Sequence, residues 1–126
     1  MSYKSVMVIK AAVCLVFGIL LISVPAAVFG ILGAALNPGG TFAAREYAAA
    51  LIGNLMLTWF ARNAAESDAR RAIILALCVY DAVGFVASLL AVLSGILNPL
   101  GWFIVAVYLF FTLGFGYLLL PKKAAS

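Results

Sequence analysis

Four long apolar runs, at residues 11–36, 43–61, 72–97 and 102–120, decide what solvent this chain can fold in. A helix that crosses a bilayer needs roughly 20 predominantly apolar residues, because the hydrocarbon core is about 30 Å thick and each residue rises about 1.5 Å. Strands of a membrane barrel would alternate apolar and polar residues, and these runs do not. In lipid, only a helix satisfies all its backbone N–H and C=O groups within its own segment. The sequence therefore predicts an all-α fold, an integral membrane four-helix bundle within one domain of 126 residues. The helices are expected at about 6–36 (broken or kinked near 25), 43–62, 68–97 and 99–120. Only 10% of the residues are charged, against about 25% in a soluble domain, so a water-soluble reading is excluded.

Pro25 accounts for the expected break, since proline removes a helical hydrogen bond and clashes one turn back. Lys4 and Lys10 ahead of an apolar run, with Val24-Pro25-Ala26-Ala27 after it, loosely fit a signal peptide. The run is long for that, so it is read as a retained helix.

Orientation follows from the basic residues. Lys4, Lys10, Arg62, Arg70, Arg71, Lys122 and Lys123 fall on one side of such a bundle, and Arg45 alone on the other. Lys/Arg excess marks the cytoplasmic side, which places both termini and the central loop there. The net charge of +4 is thus a topology signal and not the mark of a nucleic-acid partner. Trp102 and Tyr47 are expected at the outer interface and Trp59 and Tyr117 at the inner one, where amphipathic rings anchor.

One polar mark is written twice. Leu36, Asn37, Pro38, Gly40 and Phe42 match Leu97, Asn98, Pro99, Gly101 and Phe103 at an offset of 61, and Tyr47 then matches Tyr108. The pattern suggests two similar helical hairpins in parallel pseudo-repeat. Asparagine is a good N-cap and proline fits the first helical position, so at the outer turns Asn98-Pro99 is expected to start the last helix and Asn37-Pro38 to end the connection into the second. In this register Lys10 aligns with Arg71 and reads as a boundary cation, while Asp81 aligns with Leu20 and has no counterpart.

Asp81 is the acid set deepest in an apolar run, ten residues from Arg71 and so about 15 Å in. An unpaired Asp at that depth costs at least about 2.5–3.5 kcal/mol and marks a functional site by default; an interhelical hydrogen bond that fixes register is the favoured reading here, and a proton- or substrate-handling site the second. Asn54 is the preferred partner by depth, and Lys10 the second candidate. Gly84, Ser88, Ala91 and Gly95 follow Asp81 at helical spacing, and Ala49 and Gly53 form a second small pair. Small residues let membrane helices approach closely, so these six are expected to pack helices together.

The chain has no histidine, four acids and two cysteines, Cys14 and Cys78, with no Cys-x-x-Cys. No catalytic, metal or phosphate-binding pattern exists, so no enzyme activity, metal or cofactor is expected.

The stretch ARRAIILALCVYDAVGFVASLLAVLSGILNPLGWFIVAVYLFFTLGFGYLLL, together with REYAAALIGNLMLTWFAR, resembles small uncharacterised bacterial inner-membrane proteins with four helices. That resemblance implies the bacterial cytoplasmic membrane and no known chemistry. The small multidrug exporters use a glutamate in the first helix, which is absent here, and the fluoride channels depend on inverted dimers, which the charge bias disfavours. The sequence puts two functions forward, the first ahead of the second. One is an accessory or scaffolding subunit that packs against a protein partner or a second copy in the bilayer. The other is a small carrier or channel for a solute or proton, built on Asp81 and Asn54.

Overall fold

A computed structural model describes residues 1–121, which form an all-helical molecule. Five helices run in order: α1 (Tyr3–Ser23), α2 (Pro25–Ile31), α3 (Pro38–Phe60), α4 (Asp68–Leu93) and α5 (Gly101–Leu119). Three of them, α1, α4 and α5, are long and apolar enough to cross a membrane. Their outward faces carry exposed Leu15, Val16 and Ile19, Val79, Val83 and Val86, and Phe110 and Leu113, side chains suited to lipid rather than water. α3 is as long but is diluted by Arg45, Glu46 and Asn54.

The break at Pro25 is as the sequence leads one to expect. α1 stops at Ser23, and Pro25 opens α2 at a position where its missing N–H costs nothing. Boundaries elsewhere move. α3 begins five residues earlier than its apolar run, because Asn37 Oδ1 accepts from Gly40 N at 2.6 Å and caps the helix ahead of Pro38. Ser67 does the same for α4, accepting from Arg70 N at 3.1 Å. α4 ends at Leu93 and not at 97, because Gly95 takes a positive φ of 80°. Ile96 N then reaches back to Ala91 O at 2.9 Å, a Schellman turn that left-handed backbone permits. Gly33, φ 81°, closes α2 identically, with Ala34 N on Phe29 O at 2.8 Å.

The last helix begins later than expected. Asn98-Pro99 does not open it; Gly101 does. Asn98 Oδ1 accepts from Leu100 N at 3.0 Å, while its Nδ2 donates to Ile31 O at 2.9 Å and its backbone N to Leu32 O at 2.8 Å. Asn98 therefore ties the turn between α4 and α5 to the end of α2. Asn37 makes no such cross-link, so the two turns, alike in sequence, do different work.

α1 packs along α3 and α4 along α5, which makes two hairpins that meet where α1 lies beside α5. Tyr3, Val6, Met7, Ile74, Leu77, Phe111 and Phe115 form the core between the hairpins at the end where α1 and α4 begin. Cys14, Leu21, Ala48 and Leu51 form a second core between α1 and α3. The first end is also stitched by polar contacts: Tyr3 Oη donates to Ala61 O at 2.8 Å, Arg70 stacks 3.9 Å over the Tyr3 ring, and Arg71 donates to Leu119 O at 3.3 Å. Lys122 and Lys123, counted above for orientation, lie outside the described residues.

The small residues divide. A Cβ on Gly84 would overlap the Tyr108 ring, so Gly84 is where α5 comes close to α4. Ser88 is buried beside it, its hydroxyl donating to Gly84 O at 2.8 Å. Ala91 is half-buried. Gly95 is a turn residue and not a packing one. Ala49 and Gly53 are exposed, and nothing lies within 4 Å of a Cβ built on Gly53, so neither packs helices within this chain. The close approach of α1 to α3 is instead at Gly18, where a Cβ would stand 3.2 Å from Ile52.

Candidate functional site

Lys10 on α1 and Asp81 on α4 meet in the interior. Lys10 Nζ donates to Asp81 Oδ1 at 2.6 Å, with the residues 3% and 0% exposed. This reverses the ranking expected from the sequence, which preferred Asn54 and left Lys10 at the boundary. Asn54 is half-buried on α3; its carbonyl accepts from Thr58 Oγ1 at 2.7 Å, and its side chain forms no hydrogen bond with Asp81. Arg70 stacked on Tyr3 puts the starts of α1 and α4 near one level. From there Lys10 lies about 10 Å and Asp81 about 16 Å along their helices, and the lysine stem spans the difference.

Two aromatic faces hold the ammonium in place: the Tyr80 ring at 4.9 Å and the Phe111 ring at 4.6 Å. Cation–π contacts of this kind strengthen when desolvated. Asp81 Oδ1 is occupied by Lys10, but Oδ2 is buried with no hydrogen-bond partner. A buried acceptor left open in this way is costly, and among the described residues it is the one buried side-chain polar atom without a partner.

A second polar group adjoins the pair. Tyr80 on α4 donates to the Tyr47 hydroxyl on α3 at 3.0 Å, and Tyr47 and Tyr108 on α5 are hydrogen-bonded through their hydroxyls. Tyr47 therefore points toward the neighbouring helices α4 and α5. The sequence did carry a signal for this trio: Tyr47 and Tyr108 are the one polar match of the repeat that lies inside apolar runs. Their partnership depends on how the hairpins face each other, which spacing along one chain does not show.

Beside these groups is a cavity of about 150 Å³, about the size of an engineered apolar cavity that takes benzene. Its walls come from α1 (Val13, Cys14, Phe17, Leu21), α2 (Val28, Phe29), α3 (Tyr47, Leu51) and α5 (Ile104, Val107, Tyr108). Lys10 closes the end nearest the starts of α1 and α4, and below it lies the packed core of Met7, Leu77, Phe111 and Phe115. Cys14 lines the cavity, while Cys78 lies outside it and donates weakly to Thr112 O at 3.7 Å. Among the described residues no group of His, Cys, Asp or Glu is arranged to hold a metal. Compared with protein-family models, curated proteins and solved structures, the chain finds no match, so its function is read from this geometry alone.

Proposed function

We propose that this chain is a small carrier of the bacterial cytoplasmic membrane, with four crossings made by α1, α3, α4 and α5, and both termini on the cytoplasmic side. α3, 23 residues and about 35 Å long at 1.5 Å per residue, is paired along α1, which supports its crossing as well. The positive-inside bias supports the orientation. The hairpins act as two similar halves of a parallel pseudo-repeat, and the hydrogen bond between Tyr47 and Tyr108, 61 residues apart, is what two equivalent positions on a common axis would make.

The single observation that carries the reading is the buried Lys10–Asp81 pair at the closed end of a cavity between the hairpins. A charge pair used only as a clamp would sit in a filled interior. Here one acid oxygen is left open and the cation lines space large enough for a small solute. The test uses the native thiol of Cys14 in a Cys78→Ser chain. Right-side-out and inverted vesicles are treated with a small membrane-impermeant thiol reagent. A carrier exposes Cys14 to each face in turn, so modification is expected from both. Modification from one face only, with the protein folded, overturns the reading.

A second reading, an accessory subunit that packs against a partner or another copy, is favoured by the outward, unpacked Ala49 and Gly53 of α3. Purification in gentle detergent followed by mass spectrometry tests it.

A further inference from the structure

We propose that the cavity takes a small apolar monocarboxylate, about the size of benzoate, and that each one binds together with one proton, which goes to Asp81. The inference rests on the carrier reading for its purpose but not for its test.

The donors come first. Three tyrosine hydroxyls share two hydrogen bonds, and Tyr80 donates to Tyr47. One hydroxyl hydrogen is left over, on Tyr47 or on Tyr108, and both line the cavity. Lys10 carries three N–H groups and spends one on Asp81 Oδ1. The polar groups at the cavity wall therefore have hydrogens to give, and Asp81, the acceptor, is not part of that wall. A ligand that fits must bring acceptor oxygens at one end and apolar surface over the rest, where Val13, Phe17, Leu21, Val28 and Ile104 face it.

Charge decides between a carboxylate and a neutral acceptor. A neutral carbonyl would meet the Lys10 ammonium by a hydrogen bond alone, whereas a carboxylate meets it by charge as well, and charge-assisted bonds are about twice as strong. Lys10 is the cation that can hold a carboxylate. Adding an anion to a neutral Lys10–Asp81 pair would, however, leave one uncompensated negative charge in a low-dielectric interior, which is prohibitive. One proton removes the problem. An O–H bond forms on Asp81, at the open Oδ2, with the proton taken from water. Oδ1 then releases Lys10, and the ammonium turns to the ligand carboxylate. Lys10 stays charged throughout, held over Tyr80 and Phe111. The net change is one carboxylate and one proton bound, with no change in charge.

The ionisable groups around Asp81 are consistent with this assignment. Lys10 and Cys14 face it from α1, Cys78 and Tyr80 from its own helix, and Tyr108 from α5, with Tyr47 of α3 one hydrogen bond further on. Among these Asp81 alone is a carboxylate.

The experiment uses the full chain with Cys78→Ser, purified in detergent. Benzoate, benzamide and toluene are compared for protection of Cys14 from a thiol reagent, and proton uptake on benzoate binding is read in weakly buffered solution. Benzoate is expected to protect about tenfold better than benzamide or toluene, a difference of about 1.4 kcal/mol, and to take up close to one proton per molecule bound. Equal protection by benzamide or toluene overturns the proposal, as does benzoate binding without proton uptake or a reactive Cys14 that benzoate does not protect. Lys10→Met/Asp81→Asn removes both charges together and so strands neither. Folded by its circular dichroism, it is expected to lose both the preference for benzoate and the proton uptake; retention of either overturns the proposal. If benzoate binds with its proton while Cys14 is reached from one membrane face only, the ligand class stands and the carrier reading falls.

Discussion

Lys10 Nζ lies 2.6 Å from Asp81 Oδ1, and this contact joins the first helix of one hairpin to the first helix of the other through the interior. Removing one partner of a buried pair leaves the other charged and unpaired, which costs about 3–5 kcal/mol, whereas replacing both by apolar groups is near neutral. Asp81→Asn is therefore expected to lower stability by about 3–5 kcal/mol in a denaturant titration in detergent. Lys10→Met/Asp81→Leu is expected to recover most of that loss.

Gly84 and Gly53 make opposite predictions. Gly84→Ala places a methyl group in the Tyr108 ring, an overpacking that costs about 1–3 kcal/mol. Gly53→Ala meets nothing within 4 Å and gains up to about 1 kcal/mol of helix propensity. Thermal melting of the two variants checks both. A stable Gly53→Ala chain whose oligomeric state or co-purifying partner changes would favour the accessory-subunit reading.

Asn37 and Asn98 share a motif but not a role. Asn37→Ala removes one cap, worth about 1 kcal/mol. Asn98→Ala removes a turn cap and the side-chain bond to Ile31 O, and is expected to cost about 2 kcal/mol, since each bond contributes about 1. A smaller loss for Asn98→Ala than for Asn37→Ala, measured by denaturant titration, would contradict its place as a tie between the hairpins.

Orientation is checked with single cysteines. In right-side-out vesicles of the Cys14→Ser/Cys78→Ser chain, Thr41→Cys is expected to react with an impermeant reagent and Ser67→Cys to be protected. The reverse pattern would invert the topology.

The helical class, the break at Pro25 and the Asn37 cap were legible in the sequence because each is local: an apolar run, a ring without an N–H, a side chain three residues from its acceptor. The pair was not. Aligning the outer turns at an offset of 61 set Lys10 against Arg71 and made it look like a boundary cation. The two Schellman glycines, Gly33 and Gly95, are 62 apart, so the first helices of the hairpins run one residue out of that register, and Lys10 falls opposite Ala72. α4 also begins at Asp68, four residues past the counterpart of Tyr3 at that offset of 61, which weakens any reading of depth by alignment. Gly95 and Gly53 show the same limit for small residues. Spacing marks a face, but whether a glycine packs, turns or faces outward depends on the neighbouring helix.

A carrier requires Lys10–Asp81 to be a working pair and not a clamp. The most direct measurement compares Cys14 modification from the two membrane faces in the Cys78→Ser chain and in the same chain carrying Lys10→Met/Asp81→Leu, with melting recorded on the same samples. Both chains are expected to fold, with Cys14 reached from both faces when the pair is present and from one face only when apolar residues replace the pair. Access from both faces that persists unchanged without the pair would contradict that working role.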